Sequence, residues 1–243
     1  MDQLLVALDV GTAAEAERLA DQLTDVCGGF KVGSRLFTAE GPQLVRRLRE
    51  RGARVFLDLK FHDIPNTVAE AVAEATRLGV WMMTVHTSGG SAMMRAAVQA
   101  AGDTAIRIGI TPPLVVGVTV LTSLDAAGLN QLGVTRELPT HVEALAALAQ
   151  KAGVNGVVAS PLELERLRRL HGPGFLIVTP GIRGPDSAVP DDQARTLSAA
   201  GALRAGASYL VVGRPIIRSI NPRAAAEQIA RSALANGTGR RGL

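Results

Sequence analysis

Eight short apolar segments, each with a polar or charged residue at or just past its end, constrain the fold of this 243-residue chain more than any other feature. They run Leu4–Asp9, Gly29–Gly33, Phe56–Lys60, Trp81–His86, Leu114–Val120, Val154–Ser160, Phe175–Thr179 and Tyr209–Gly213. Between them, apolar residues at helical spacing predict helices over Ala13–Val26, Gly41–Arg51, Val68–Leu78, Ser91–Ala101 and His141–Ala152. Further helices are expected from Pro161 onward and over Gln193–Ala200 and Pro222–Asn236, with Thr122–Thr140 a less regular, mobile segment holding one short helix. Strand and helix alternating eight times predict an α/β fold of the (β/α)8 TIM-barrel type. Residues 1–236 are expected to form one such domain, and the Gly-rich stretch Gly237–Leu243 a flexible tail.

Composition narrows the function. Hydrophobic residues make up 47% of the chain, enough for a large core, yet no run of 18 apolar residues suggests a membrane span. The opening Met-Asp-Gln-Leu-Leu-Val lacks the basic start of a signal peptide, so a cytoplasmic location is expected. A single cysteine, Cys27, excludes an internal disulfide framework and a cysteine-based zinc site. Net charge is only +4 and aromatics are 3%, so there is no basic stripe interleaved with rings, and no nucleic-acid partner is expected. Three of the 26 basic residues are lysine, namely Lys31, Lys60 and Lys151. Where charge alone is needed this chain uses arginine, and two of its lysines fall at predicted strand ends. A lysine is a compact ammonium that can give up a proton when desolvated, so those two positions point to a need for an ammonium specifically.

In a (β/α)8 barrel the C-terminal strand ends surround one pocket, however far apart they lie in sequence. Read in order, they carry Asp9, Lys31, Asp58 with Lys60, His86, Thr122, Arg183 and Gly213-Arg214. The third strand, Phe56-Leu57-Asp58-Leu59-Lys60, begins apolar and ends with two opposite charges. Residues two apart on a strand share a face, so Asp58 and Lys60 point one way and Leu57 and Leu59 the other. Asp63 follows, and Ile64-Pro65-Asn66-Thr67 leads into the next helix. Gly181, Arg183, Gly213 and Arg214 mark the ends of the last two strands, where this fold usually binds phosphate. Glycines there admit an anion close to backbone N–H groups, arginines add forked donors, and Gln193 is expected to add an amide.

No metal site emerges. Asp9, Asp58, Asp63 and His86 would have to hold a cation with Lys31 and Lys60 among them, and neither His62 nor His86 has a second histidine at ligand spacing. There is no phosphate-binding or dinucleotide glycine motif, so no cofactor is expected.

The stretch Leu57-Asp58-Leu59-Lys60-Phe61-His62-Asp63-Ile64-Pro65-Asn66-Thr67 closely resembles the signature of the orotidine 5′-phosphate decarboxylases. The resemblance extends through Ala7-Leu8-Asp9, Lys31-Val32-Gly33, Val118–Ser123, Thr179–Arg183 and Val212–Pro215. The D-x-K-x-x-D core is shared with related phosphosugar decarboxylases and synthases; the Ile64–Thr67 continuation and Lys31 favour the orotidylate enzymes. The resemblance implies cofactor-free conversion of orotidine 5′-monophosphate to uridine 5′-monophosphate and CO2. It implies that Lys60 protonates C6 of the pyrimidine, that Asp58 faces the substrate carboxylate, and that Lys31 and Asp63 complete an alternating charge array. It further implies Asp9 and Lys31 at the ribose, Thr122 at the pyrimidine edge, and Arg183, Gln193, Gly213 and Arg214 at the phosphate. A homodimer is implied, in which Asp63 and Thr67 reach the neighbouring subunit's site. Two alternatives stand beside this reading. One is a Mg2+-dependent phosphosugar decarboxylase or synthase on the same barrel; the other is a non-catalytic phosphate-binding barrel, which would have no use for Lys60.

Overall fold

The computed structural model describes residues 1–183 and 197–235. Its elements in chain order are β1 (Leu4–Ala7), α1 (Ala13–Leu23), β2 (Gly29–Gly33), α2 (Ser34–Glu50), β3 (Val55–Phe61), α3 (Pro65–Arg77), β4 (Met82–His86), α4 (Gly90–Ile108), β5 (Leu114–Val118), α5 (Ala126–Gln131), α6 (Leu138–Lys151) and β6 (Gly156–Val158). There follow α7 (Leu164–His171), β7 (Leu176–Thr179), β8 (Ile182–Arg183), β9 (Leu197–Ser198), α8 (Ala199–Arg204), β10 (Tyr209–Val212), α9 (Arg214–Ile217) and α10 (Pro222–Ala235). Strands β1 to β7 pair in sequence order and β10 closes the ring onto β1, giving a parallel eight-stranded barrel. The TIM-barrel expectation holds.

The alternation of side chains along each strand divides the apolar residues into two cores. Leu5, Ala7, Phe56, Met82, Val116, Val178 and Val211 fill the barrel interior. Leu4, Val6, Leu57, Val115, Val157 and Ile177 face outward and pack beneath the helices. At the C-terminal end the inward row continues into Asp9, Lys31, Asp58 and Lys60, so one parity sets both the apolar floor and the charged rim.

Several helices differ from their predicted bounds. α2 starts at Ser34, seven residues before the expected Gly41, because two helical segments join across Gly41, whose φ of +65° breaks the turn before Pro42 restarts it. α4 runs past Gly102 to Ile108, since burial of Thr104 and Ala105 outweighs the roughly 1 kcal/mol cost of a helical glycine, and it ends at left-handed Gly109. The helix expected over Gln193–Ala200 begins instead at Ala199. There the Ser198 hydroxyl accepts the Gly201 N–H, while Leu197–Ser198 pairs with Ile182–Arg183 as a two-stranded ribbon. Gln193 and the expected tail at Gly237–Leu243 lie outside the described residues. The irregular stretch after β5 does carry one short helix, α5.

Candidate active site

At the C-terminal mouth of the barrel, a cavity of about 240 Å³ is lined by Asp9, Lys31, Asp58, Lys60, Thr122, Gly213 and Arg214. Gly181 lines it as well, so eight of the rim residues singled out from sequence meet in one place. The opposite wall is apolar, built by Val118, Val120, Val158, Val178, Pro180 and Ile182.

The charges form a chain of alternating sign. The Lys31 ammonium lies 3.2 Å from Asp9 Oδ1 and 3.6 Å from Asp58 Oδ2. The Lys60 ammonium donates to both Asp58 oxygens, at 2.9 and 3.0 Å. The side chains of Lys31 and Asp58 are each 13% exposed, against 55% for Asp9, so the middle of the chain is the most shielded from water. Opposite charges at these distances attract one another more strongly in a partly dry site than they would in water. Gly33 keeps the array compact, since a Cβ there would come within 3.0 Å of Lys31 Nζ.

The predicted sharing of a face by Asp58 and Lys60 is realised, but not by a regular strand. Lys60 has φ +54°, and among the described residues it is the one non-glycine with positive φ. The β3–β4 register breaks between Leu57 and Phe61, and the Thr84 hydroxyl sits in the gap. Thr84 is fully buried within a strand and carries no charge, so reading strand ends missed it.

Asp63, Thr67 and His86 are not among the residues that line this cavity. Asp63 is exposed, its carboxylate accepting the N–H of Ile64 at 2.7 Å, and Thr67 is exposed on the first turns of α3. Neither lines the pocket of its own chain. Arg183 ends β8, and Gly181 before it takes φ +78°, the left-handed turn that carries the chain from β7 into the ribbon. His86 stacks on His62 with ring centroids 5.2 Å apart, and its Nδ1 lies 2.9 Å from the Ser88 hydroxyl. Burial, with the neighbouring His62 and Lys60 charges adding to it, holds the His86 imidazole below its ordinary pKa. Among the described residues no group of three or more His, Cys, Asp or Glu side chains is placed to share a metal ion. Ammonium groups stand between the carboxylates instead.

The geometry agrees with the comparisons to known proteins. The model of the family described as "Orotidine 5'-phosphate decarboxylase / HUMPS family" matches residues 2–229. The orotidine 5′-phosphate decarboxylase of Moorella thermoacetica is 51% identical over 230 residues, covering 94% of this chain and 91% of that protein. That of Paramagnetospirillum magneticum is 49% identical over 229 residues, covering 94% of this chain and 97% of its own. The crystal structure of the orotidine 5′-phosphate decarboxylase from Lactobacillus acidophilus superposes with a TM-score of 0.84 at 34% identity, covering 95% of this chain and 98% of that one.

Proposed function

Because the chain belongs to the orotidine 5′-phosphate decarboxylase / HUMPS family, we infer that it converts orotidine 5′-monophosphate to uridine 5′-monophosphate and CO2, the last step of UMP biosynthesis. The observation that carries this reading is the Asp9–Lys31–Asp58–Lys60 chain of alternating charges, closed on one side by an apolar wall.

We assign the steps as follows. Cleavage of the C6–carboxylate bond leaves its electron pair on C6, where the ring delocalises it poorly, so the barrier without an enzyme is very high. Enzymes lower such barriers by up to about 23 kcal/mol. The Lys60 ammonium stabilises that developing charge, which exists only in the transition state, and then gives its proton to C6. Asp58, held between two ammonium groups, faces the substrate carboxylate. Two like charges 4 Å apart repel by about 4 kcal/mol at an effective dielectric of 20, and departure of CO2 relieves that repulsion. Lys31 and Asp9 bind the ribose hydroxyls and Thr122 the pyrimidine edge. Gly213, Arg214, Arg183 and Gln193 grip the phosphate, whose binding energy holds the ground state in this repulsive contact. No metal or organic cofactor enters these steps.

We further propose a homodimer in which Asp63 and Thr67 complete the partner's site. Its support is the exposed Asp63–Thr67 segment, in which Ile64 is 66% exposed beside a carboxylate that does not line its own chain's pocket. Mixing a Lys60→Ala protomer with an Asp63→Ala protomer would then create one intact site per heterodimer. Activity well above either homodimer is the expected result; none would sink the cross-subunit role. We place the enzyme in the cytoplasm as a single domain over residues 1–236, and its appearance in a membrane pellet would count against that location.

The direct test is turnover of orotidine 5′-monophosphate by purified protein with and without EDTA. Rapid, EDTA-insensitive formation of uridine 5′-monophosphate is expected. Folded protein that left the substrate untouched would overturn the reading, and phosphosugars with Mg2+ would be tried next.

A further inference from the structure

We propose that Thr84, inside β4, is a positioning residue that holds the proton donor Lys60 in its strained backbone conformation and couples it to Asp58. The proposal rests on the assignment of Lys60 as proton donor. Three observations carry it.

The first is the register. Leu57 pairs with Met83 and Phe61 with Val85, so Asp58, Leu59 and Lys60 lie opposite Thr84 alone. Two surplus residues bulge out of β3 at the place where the charges are needed, and the ladder between β3 and β4 is interrupted there. The second is the backbone of Lys60, at φ +54°, a region that a side-chain-bearing residue occupies only when its surroundings impose it. The third is the Thr84 hydroxyl, which is fully buried and uses both of its hydrogen-bonding roles on this bulge. It accepts the Lys60 N–H at 2.8 Å, so the side chain supplies the acceptor that the broken ladder does not. It donates its own hydrogen to Asp58 Oδ1 at 3.0 Å, the oxygen that also receives the Lys60 ammonium at 2.9 Å.

One hydroxyl therefore ties the backbone of the donor lysine to the carboxylate that aims its ammonium. The result is a closed loop: Lys60 N–H to Thr84, Thr84 O–H to Asp58, Asp58 to Lys60 Nζ. Few side chains fit this position. A valine has the same shape and no hydrogen bonds, whereas a serine has both hydrogen bonds and one methyl fewer. Without the hydroxyl, a buried N–H loses its acceptor and φ +54° loses its restraint, so the Lys60 side chain shifts relative to the reacting carbon. A misplacement of about 1 Å costs on the order of 100-fold in rate.

The test compares Thr84→Val and Thr84→Ser with the parent in kcat, in the Kd of uridine 5′-monophosphate, in melting temperature, and in the crystal structure at Lys60. The parent's turnover of orotidine 5′-monophosphate and its loss in Lys60→Ala check the underlying assignment separately. Expected for Thr84→Val is a kcat lower by about 100-fold, product affinity within about threefold of the parent, and Lys60 relaxed to negative φ. Thr84→Ser should recover kcat to within about tenfold with φ still positive. The proposal is overturned if Thr84→Val keeps kcat within threefold of the parent. It is equally overturned if valine and serine lose activity alike in step with product affinity and melting temperature, because the threonine would then act only by packing its methyl.

Discussion

At the N-terminal end of the barrel Trp81 meets Tyr209 edge-on, 5.2 Å between centroids, while the Arg54 guanidinium lies 4.4 Å over the Trp81 ring and donates to the Gly28 carbonyl at 2.7 Å. Above this layer Leu5, Phe56, Met82 and Val116 fill the interior, and the strands run in regular register. At the C-terminal end the same β3 strand breaks register, places a lysine at positive φ, and adds Asp58 and Lys60 to a cavity also lined by Asp9, Lys31 and Arg214. One strand thus serves two purposes along its length. Its lower half meets ordinary demands of burial and pairing, which stabilise; its upper half holds like and unlike charges in a fixed, partly dry geometry, which by itself does not. The difference teaches that stability and chemistry in this molecule are separable by height along the barrel axis.

That separation can be broken or sharpened by experiment. The largest effect is expected from Lys60→Ala, which should lower kcat by 1,000-fold or more, on the order of what a proton donor and a charge stabiliser supply together. Its melting temperature should stay close to the parent's, because it removes a partly exposed side chain and leaves the backbone of β3 as it is. Retention of most of the kcat would take the proton donor away from Lys60. At the opposite end, Leu5→Ala empties a fully buried interior position and should cost about 2–5 kcal/mol in chemical denaturation. Below the unfolding transition its kcat should remain within about twofold. A large loss of kcat in the folded variant would show that the floor and the rim are mechanically coupled.

The smallest effect concerns pH. Burial first, then nearby cationic groups, holds His86 below its ordinary pKa, and His141 and His171 are lowered in the same sense. A histidine whose native pKa is depressed binds its proton less readily than in the unfolded chain, so stability rises with pH. Stability should therefore decline as pH falls through about 6.5, the unfolded value, and level off once the native rings are also protonated. His86→Gln should flatten that decline as read by melting temperature between about pH 7 and 5. An unchanged slope would mean that His86 does not contribute to the acid sensitivity of the fold.

Much of the site was legible in the sequence because strand parity and barrel topology are strong constraints. Asp9, Lys31, Asp58, Lys60, Thr122, Gly213 and Arg214 could be placed on one rim without coordinates, since each closes an apolar run whose inward residues lie two positions apart. Asp63 and Thr67, expected at a neighbouring subunit's site, are not among the residues that line their own chain's pocket, since α3 already starts at Pro65. Gln193 lies outside the described residues; the helix expected to open with it is described from Ala199, where Ser198 supplies the cap.

Thr84 stayed hidden for a different reason. A threonine in the middle of Met-Met-Thr-Val-His has the β-branched shape of any core strand residue. Its importance lies in what stands opposite, and only pairing reveals that. By itself the sequence determined eight strands, their inward faces and the row of charges at one end, because those follow from local periodicity and chain connectivity. The tertiary structure alone decided the two-residue bulge, the positive φ of Lys60 and the hydroxyl that restrains it. These depend on the register between two strands, a non-local quantity that no periodicity in either strand encodes.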